Sequence, residues 1–193
     1  MMHGHEVDSN TMQAGVSPTF GCASWSLWIL AAVAGTAVGW RLGWRLSILV
    51  SGQLASPTLG LTVGLVLGFS QWIILRGYMP RAGWWILASG LGWAAGFPLG
   101  AGLSYLVGLM DIWFGVMVGA MVGLFTGVPQ WLLLQRQSGY AAWWAPASIF
   151  AWAAALMFYR GGPSWMGAYY GLMVGIATGL ALFGILGFAR QAT

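Results

Sequence analysis

Glycine recurs at every fourth residue in three runs of this chain: Gly60, Gly64, Gly68; Gly119, Gly123, Gly127; and Gly171, Gly175, Gly179. On a helix that period leaves a strip without side chains along one face, where a second backbone can come close. The first two runs end on the same pair, Gln71-Trp72 and Gln130-Trp131, while the third is followed by Leu182-Phe183. Copies of one pattern mean a repeat, and a repeat sets the architecture before any chemistry is considered.

The repeat is longer than the ladders. Trp28-Ile29-Leu30-Ala31 returns 57 residues later as Trp85-Ile86-Leu87-Ala88, and each is followed by its own ladder: Gly35, Gly39, Gly43 and Gly92, Gly96, Gly100. The third copy starts at Trp143-Trp144, with Ala151 and Ala155 as its small residues. The unit is therefore a helical hairpin, with a Trp-led odd helix and an even helix that carries a glycine ladder. Three such units give six spans in parallel repeat, because an inverted repeat needs an odd number of spans per unit.

What surrounds these helices follows from polarity. Charged residues are 5% of the 193, hydrophobic ones 59%, and the mean hydropathy is +0.78; a soluble domain carries about 25% charged residues. The apolar stretches 23–40, 57–75, 83–108, 112–134, 141–159 and 165–189 each approach the ~20 residues that cross a hydrocarbon core. The expected fold is thus all-α: an integral membrane bundle of six transmembrane helices in three hairpins, about 23–77, 83–135 and 141–189, within a membrane domain of 22–190. Residues 1–21 read as a polar N-terminal tail with no basic n-region, so the first apolar segment reads as a span and not as a signal peptide. Glycine inside such helices is tolerated, since leaving the helix would strand backbone polar groups in hydrocarbon. Pro98 and Pro129 are expected to kink the third and fourth helices, where a neighbour must meet the freed carbonyl.

Boundary residues give a topology. Most of the 14 tryptophans read as an aromatic belt at headgroup level. Trp25, Trp28, Trp72, Trp84, Trp85, Trp131, Trp143 and Trp144 fall at one end, and Trp40, Trp44, Trp113 and Trp165 at the other. Trp93 and Trp152 lie inside odd spans, 59 residues apart, placed to fill space opposite the glycine strips. The N-terminal side holds Arg76, Arg81, Arg136 and Arg190, against Arg41, Arg45 and Arg160 on the other. The positive-inside rule then puts both termini in the cytoplasm. Seven scattered arginines form no clustered footprint for nucleic acid. The single cysteine, Cys22, excludes an intrachain disulfide.

Chemistry is scarce. Intramembrane carboxylates or histidines mark ion and proton paths, yet Glu6, Asp8, His3 and His5 belong to the tail and Asp111 to a connection. No acid, base and nucleophile constellation can be assembled, so the chain reads as a non-enzyme with no metal site and no required cofactor. Asp111 reads as a staple to Arg41, Arg45 or Arg160, with a substrate contact as the alternative. Gln71 and Gln130 read first as interhelical hydrogen-bonding groups. With Trp72, Trp131, Trp93 and Trp152 they form the candidate polar or ligand site, able to meet a carotenoid, a chlorophyll-type pigment, a quinone or a lipid. Gly35, Gly39, Gly60, Gly64, Gly68, Gly92, Gly96, Gly119, Gly123, Gly127, Gly171, Gly175 and Gly179 are the expected helix-packing positions.

The run Gly64-Leu-Val-Leu-Gly68-Phe-Ser-Gln71-Trp72-Ile-Ile-Leu75-Arg76, with its copy from Gly123 to Leu134, resembles a group of uncharacterised bacterial polytopic membrane proteins. They repeat a G-x-x-x-G-x-x-Q-W-x-x-L-R element and are of cyanobacterial and filamentous green bacterial type. The likeness covers about residues 25–190, with the third copy departing from the Gln-Trp pair. It implies a six-span helical protein, brings no activity with it, and points to a bioenergetic setting. The leading functional expectation is a non-catalytic accessory or scaffold subunit that packs, amid membrane lipids, against other integral membrane proteins, because the sequence carries more close-packing strips than six helices need internally. The alternatives are a transporter or channel for a small neutral or apolar solute, and a pigment-, quinone- or lipid-binding protein.

Overall fold

A computed structural model describes residues 20–50, 52–159 and 165–188. The tail residues His3, His5, Glu6 and Asp8, and the boundary residues Arg160 and Arg190, lie outside the described residues. The described chain is all helical: α1 Cys22–Leu49, α2 Ala55–Leu75, α3 Trp84–Leu106, α4 Asp111–Leu134, α5 Trp144–Leu156 and α6 Trp165–Phe188. Each helix packs against its neighbours in sequence, and α6 returns to α1, so the six close into a ring.

Five of these helices are long and apolar enough to cross a membrane: α1, α2 with the short turn before it, α3, α4 and α6. The stretch 141–159, expected as a sixth span of similar length, departs from this. Its α-helix has 13 residues and follows a 3₁₀ segment, Gly139–Trp143. Pro146 accounts for part of the difference. It sits at the third position of α5, within the first turn, where its missing N–H has no partner to lose, and the helix cannot extend unbroken through it from upstream. Ser138, whose side chain accepts from the Tyr140 amide at 3.2 Å, caps the tighter 3₁₀ turn.

Glycine sets how close the helices come. A Cβ on Gly39 would lie 3.0 Å from Val63 Cα, on Gly96 2.7 Å from Val122 Cα, and on Gly123 2.5 Å from Ile149 Cα. These are backbone atoms, which cannot swing aside, so only glycine permits the approach. The ladder of α1 meets α2, that of α2 meets α3, that of α3 meets α4, that of α4 meets α5 and that of α6 meets α1. The strips that looked surplus in the sequence are therefore all occupied within the ring.

The two prolines stay inside continuous helices. Pro129 cannot donate to Phe125, and Gly92 of α3 lies against that carbonyl, where a Cβ would be 2.6 Å from the oxygen. The freed acceptor thus meets a neighbouring glycine, in the manner of a weak Cα–H···O contact. Outward positions such as Leu30, Leu91 and Phe150 are 63%, 64% and 75% exposed. The side chains of the core fill the ring in two clusters, one at each end.

Candidate functional site on the ring axis

Odd helices contribute their leading tryptophans to the axis. Trp28, Trp85 and Trp144 are buried and meet edge to face or tilted, with ring centroids 6.1, 6.3 and 5.3 Å apart. The belt assignment of these three is corrected, and so is that of Trp40, which is 1% exposed. Position along the helix misled here: a span end can still face inward when the next helices lean over it. Trp44, Trp84, Trp113, Trp143 and Trp165 do face outward.

For Trp28, Trp85 and Trp144 the even helices provide an acceptor to the indole N–H. Trp85 Nε1 donates to Gln71 Oε1 at 2.9 Å, and Trp144 Nε1 to Gln130 Oε1 at 3.0 Å. Trp28 Nε1 donates to Thr178 Oγ1 at 3.0 Å. Thr178, and not Leu182, thus occupies the glutamine position of the third copy. The glycine contacts agree. A Cβ on Gly68 would meet Ile86 Cα at 2.9 Å and Ser89 Cβ at 2.8 Å; on Gly175 it would meet Ile29 Cα and Ala32 Cβ, both at 3.0 Å. Gly60, Gly119 and Gly167 likewise each face one carbonyl, of Trp93, Trp152 and Thr36.

The third ladder is therefore Gly167, Gly171, Gly175, one turn earlier than its spacing implied. Gly179 stands where Trp72 and Trp131 stand, against the rings of Trp25 and Trp28. Leu182 stands with Leu75 and Leu134, all three fully buried in the same end cluster. Because α6 carries glycine at 167, 171, 175 and 179, the sequence alone left its register undetermined by one turn.

The members of each Gln-Trp pair have separate surroundings. Gln71 and Gln130 are buried, whereas Trp72 and Trp131 are partly buried at the periphery, with the Arg76 guanidinium carbon 5.4 Å from the centre of the Trp72 ring. Trp93 and Trp152 reach the axis and meet each other perpendicularly at 4.8 Å. Trp40 packs beside them, 6.4 Å from Trp93 and 5.4 Å from Tyr170. Of the six predicted residues, four converge on the axis, and Trp72 and Trp131 do not line the space between them.

Between the two tryptophan layers is a chamber of about 10 Å³, lined by Gln71, Ser89, Thr126, Gln130, Ser148 and Thr178 together with apolar neighbours. Gln130 Nε2 donates to Ser89 Oγ at 3.0 Å, linking α4 to α3. Thr126 and Thr178 donate to carbonyls one turn back, at 2.7 and 2.6 Å. Among the described residues the indole N–H groups of Trp25, Trp40 and Trp93 are buried without an acceptor. Ser89, Ser148, Thr126 and Thr178 escaped the sequence reading, since a lone hydroxyl in an apolar helix gives no periodic signal.

Larger concavities open outward. A groove of about 470 Å³ runs between α3 and α4, lined by Trp84, Leu87, Leu91, Ala95, Phe125, Pro129 and Leu133, among others. A second, of about 350 Å³, adjoins Asp111 with Tyr105, Phe114 and Tyr159. Asp111 itself is exposed, with φ of 50°, at the start of α4. No three His, Cys, Asp or Glu residues gather as a metal site among the described residues. The chain matches no family model, no curated protein and no solved structure.

Proposed function

We propose that this chain is a membrane-embedded ring of three repeated helical hairpins that acts through its outer surface, as a non-catalytic accessory or scaffold subunit packed against other membrane proteins. The observation that carries the reading is the filled axis. Six buried tryptophans, with Phe97, Tyr159 and Tyr170 beside them, leave about 10 Å³ at the centre. A path for even a small solute along that axis is disfavoured, and a pigment or quinone ring does not fit there. The support from surplus glycine strips falls away, because those strips meet inside the ring; the support that remains is the apolar outer surface and its groove. The bioenergetic setting and the bacterial inner or photosynthetic membrane rest on the sequence resemblance alone, and the cytoplasmic termini on the arginine balance.

The test is the mass of the particle lifted from native membranes in polymer nanodiscs. A scaffold subunit leaves with other integral membrane proteins in fixed ratio; a 20.6 kDa chain accompanied only by lipid contradicts the reading.

The groove between α3 and α4 favours a second reading, the binding of an acyl chain, a carotenoid or a quinone tail on the outside of the ring. Its apolar lining and about 470 Å³ suit one such chain. Extraction of the purified protein, followed by mass spectrometry, tests this. A prenyl or pigment molecule in stoichiometric amount supports it, and bulk lipid alone removes it.

A further inference from the structure

The axial chamber contains polar groups that the protein itself does not pair. Gln130 is satisfied at both ends, by Trp144 and by Ser89. Gln71 accepts from Trp85 through Oε1, but its Nε2 has no hydrogen-bond partner among the described residues. The matching contacts of Gly68 and Gly175 explain this: Ala32 stands where Ser89 stands, so the hydroxyl that would receive the Gln71 amide is missing. The Trp93 indole N–H, buried without an acceptor, also lines the chamber, and Ser148 Oγ is the remaining leftover group. By the same pattern its partner would be a glutamine at 178, and Thr178 is too short to extend an amide toward it. Gln71 and Ser148 are 4% and 1% exposed, and both line the chamber.

Both departures lie in the α6–α1 pairing, and both shorten a side chain. They therefore remove polar partners and create room at the same place. A buried water needs about 10–15 Å³ of such space and two to four polar partners, and the chamber offers about 10 Å³. We propose that it is a binding site for one water molecule, which accepts from Gln71 Nε2 and shares a hydrogen bond with Ser148 Oγ. The water takes the place of the serine hydroxyl and the glutamine amide that the α6–α1 pairing lacks. A metal cation does not suit the site, since its unpaired nitrogens are donors, the Gln71 amide and the Trp93 indole N–H, and no carboxylate lines it.

The experiment is a structure of the full chain in nanodiscs, at a resolution that places ordered waters, with Ala32→Ser/Thr178→Gln as the comparison. One water bonded to Gln71 Nε2 and Ser148 Oγ is expected in the wild type, and none in the double variant. A dry chamber, or a Gln71 amide turned onto a backbone carbonyl, overturns the proposal. A Rb⁺ peak at the site, in crystals soaked with that ion, overturns it as well. If the double variant does not fold, the wild-type Gln71 side-chain amide is read by NMR. A nuclear Overhauser contact with a long-lived water supports the site, and its absence counts against it.

Discussion

Trp144 Nε1 donates to Gln130 Oε1 across 3.0 Å, and fourteen residues separate the two in sequence. Trp85 and Gln71 repeat the contact with the same fourteen-residue separation, whereas Trp28 reaches Thr178 over 150 residues. Two of these brackets join a helix to the next one in the chain. The third joins α6 to α1 and so closes the ring.

The two glutamines should not be equivalent. Gln130→Leu strands the Trp144 indole and the Ser89 hydroxyl acceptor, and is expected to destabilise by about 1–3 kcal/mol. Gln71→Leu loses a single protein partner and should cost about half as much. Unfolding by graded SDS in mixed micelles measures both, and equal losses would argue against the asymmetry of the chamber.

Hydrogen bonding and packing by tryptophan can be separated. Trp144→Phe and Trp93→Phe remove similar ring area, but only Trp144 gives up a hydrogen bond. The Trp144 variant should be the less stable by about 1 kcal/mol. The difference is read from the midpoints of the same SDS titration.

Gly123→Ala is expected to cost about 1–3 kcal/mol, as overpacking does. Its Cβ would sit 2.5 Å from Ile149 Cα and 2.6 Å from Ser148 O. Gly102→Ala meets nothing within 4 Å and should stay within about 0.5 kcal/mol of wild type. Thermal aggregation midpoints in detergent compare the pair.

The register of α6 can be tested by moving the glutamine. Leu182→Gln places an amide among Leu75, Leu134 and Ile185, at a cost of about 1–3 kcal/mol. Thr178→Gln puts it back at the acceptor position of Trp28 and should be the milder change. If Leu182→Gln were the better tolerated, the one-turn correction would be wrong.

Helices were legible in the sequence because composition and glycine period are both dense signals, whereas the return of α6 onto α1 was not. The second Trp-Ile-Leu-Ala copy, at Trp85, also located the start of α3 to within one residue, whereas α1 starts six residues before its copy at Trp28. The short α5 was not legible, since its apolar run continues past both ends of the α-helix. Side-chain direction was harder still. Trp28 and Trp84 both read as belt residues, yet one is fully buried and the other 59% exposed. The polar chamber depends on Ser89, Ser148 and Thr126, single hydroxyls of which one pairs across helices, one has no protein partner among the described residues and one bonds a carbonyl a turn back, so none stands out in an apolar run. Gln71 and Gln130 stood out because an amide in an apolar helix is costly unless it has a partner.

We propose that the outer surface of the ring, and not its axis, meets the partners of this protein. Photocrosslinking from position 91, where Leu91 is 64% exposed beside the α3–α4 groove, tests it in native membranes. A benzophenone side chain there should give one or two discrete protein adducts of reproducible mass. Adducts with lipid alone would contradict the account.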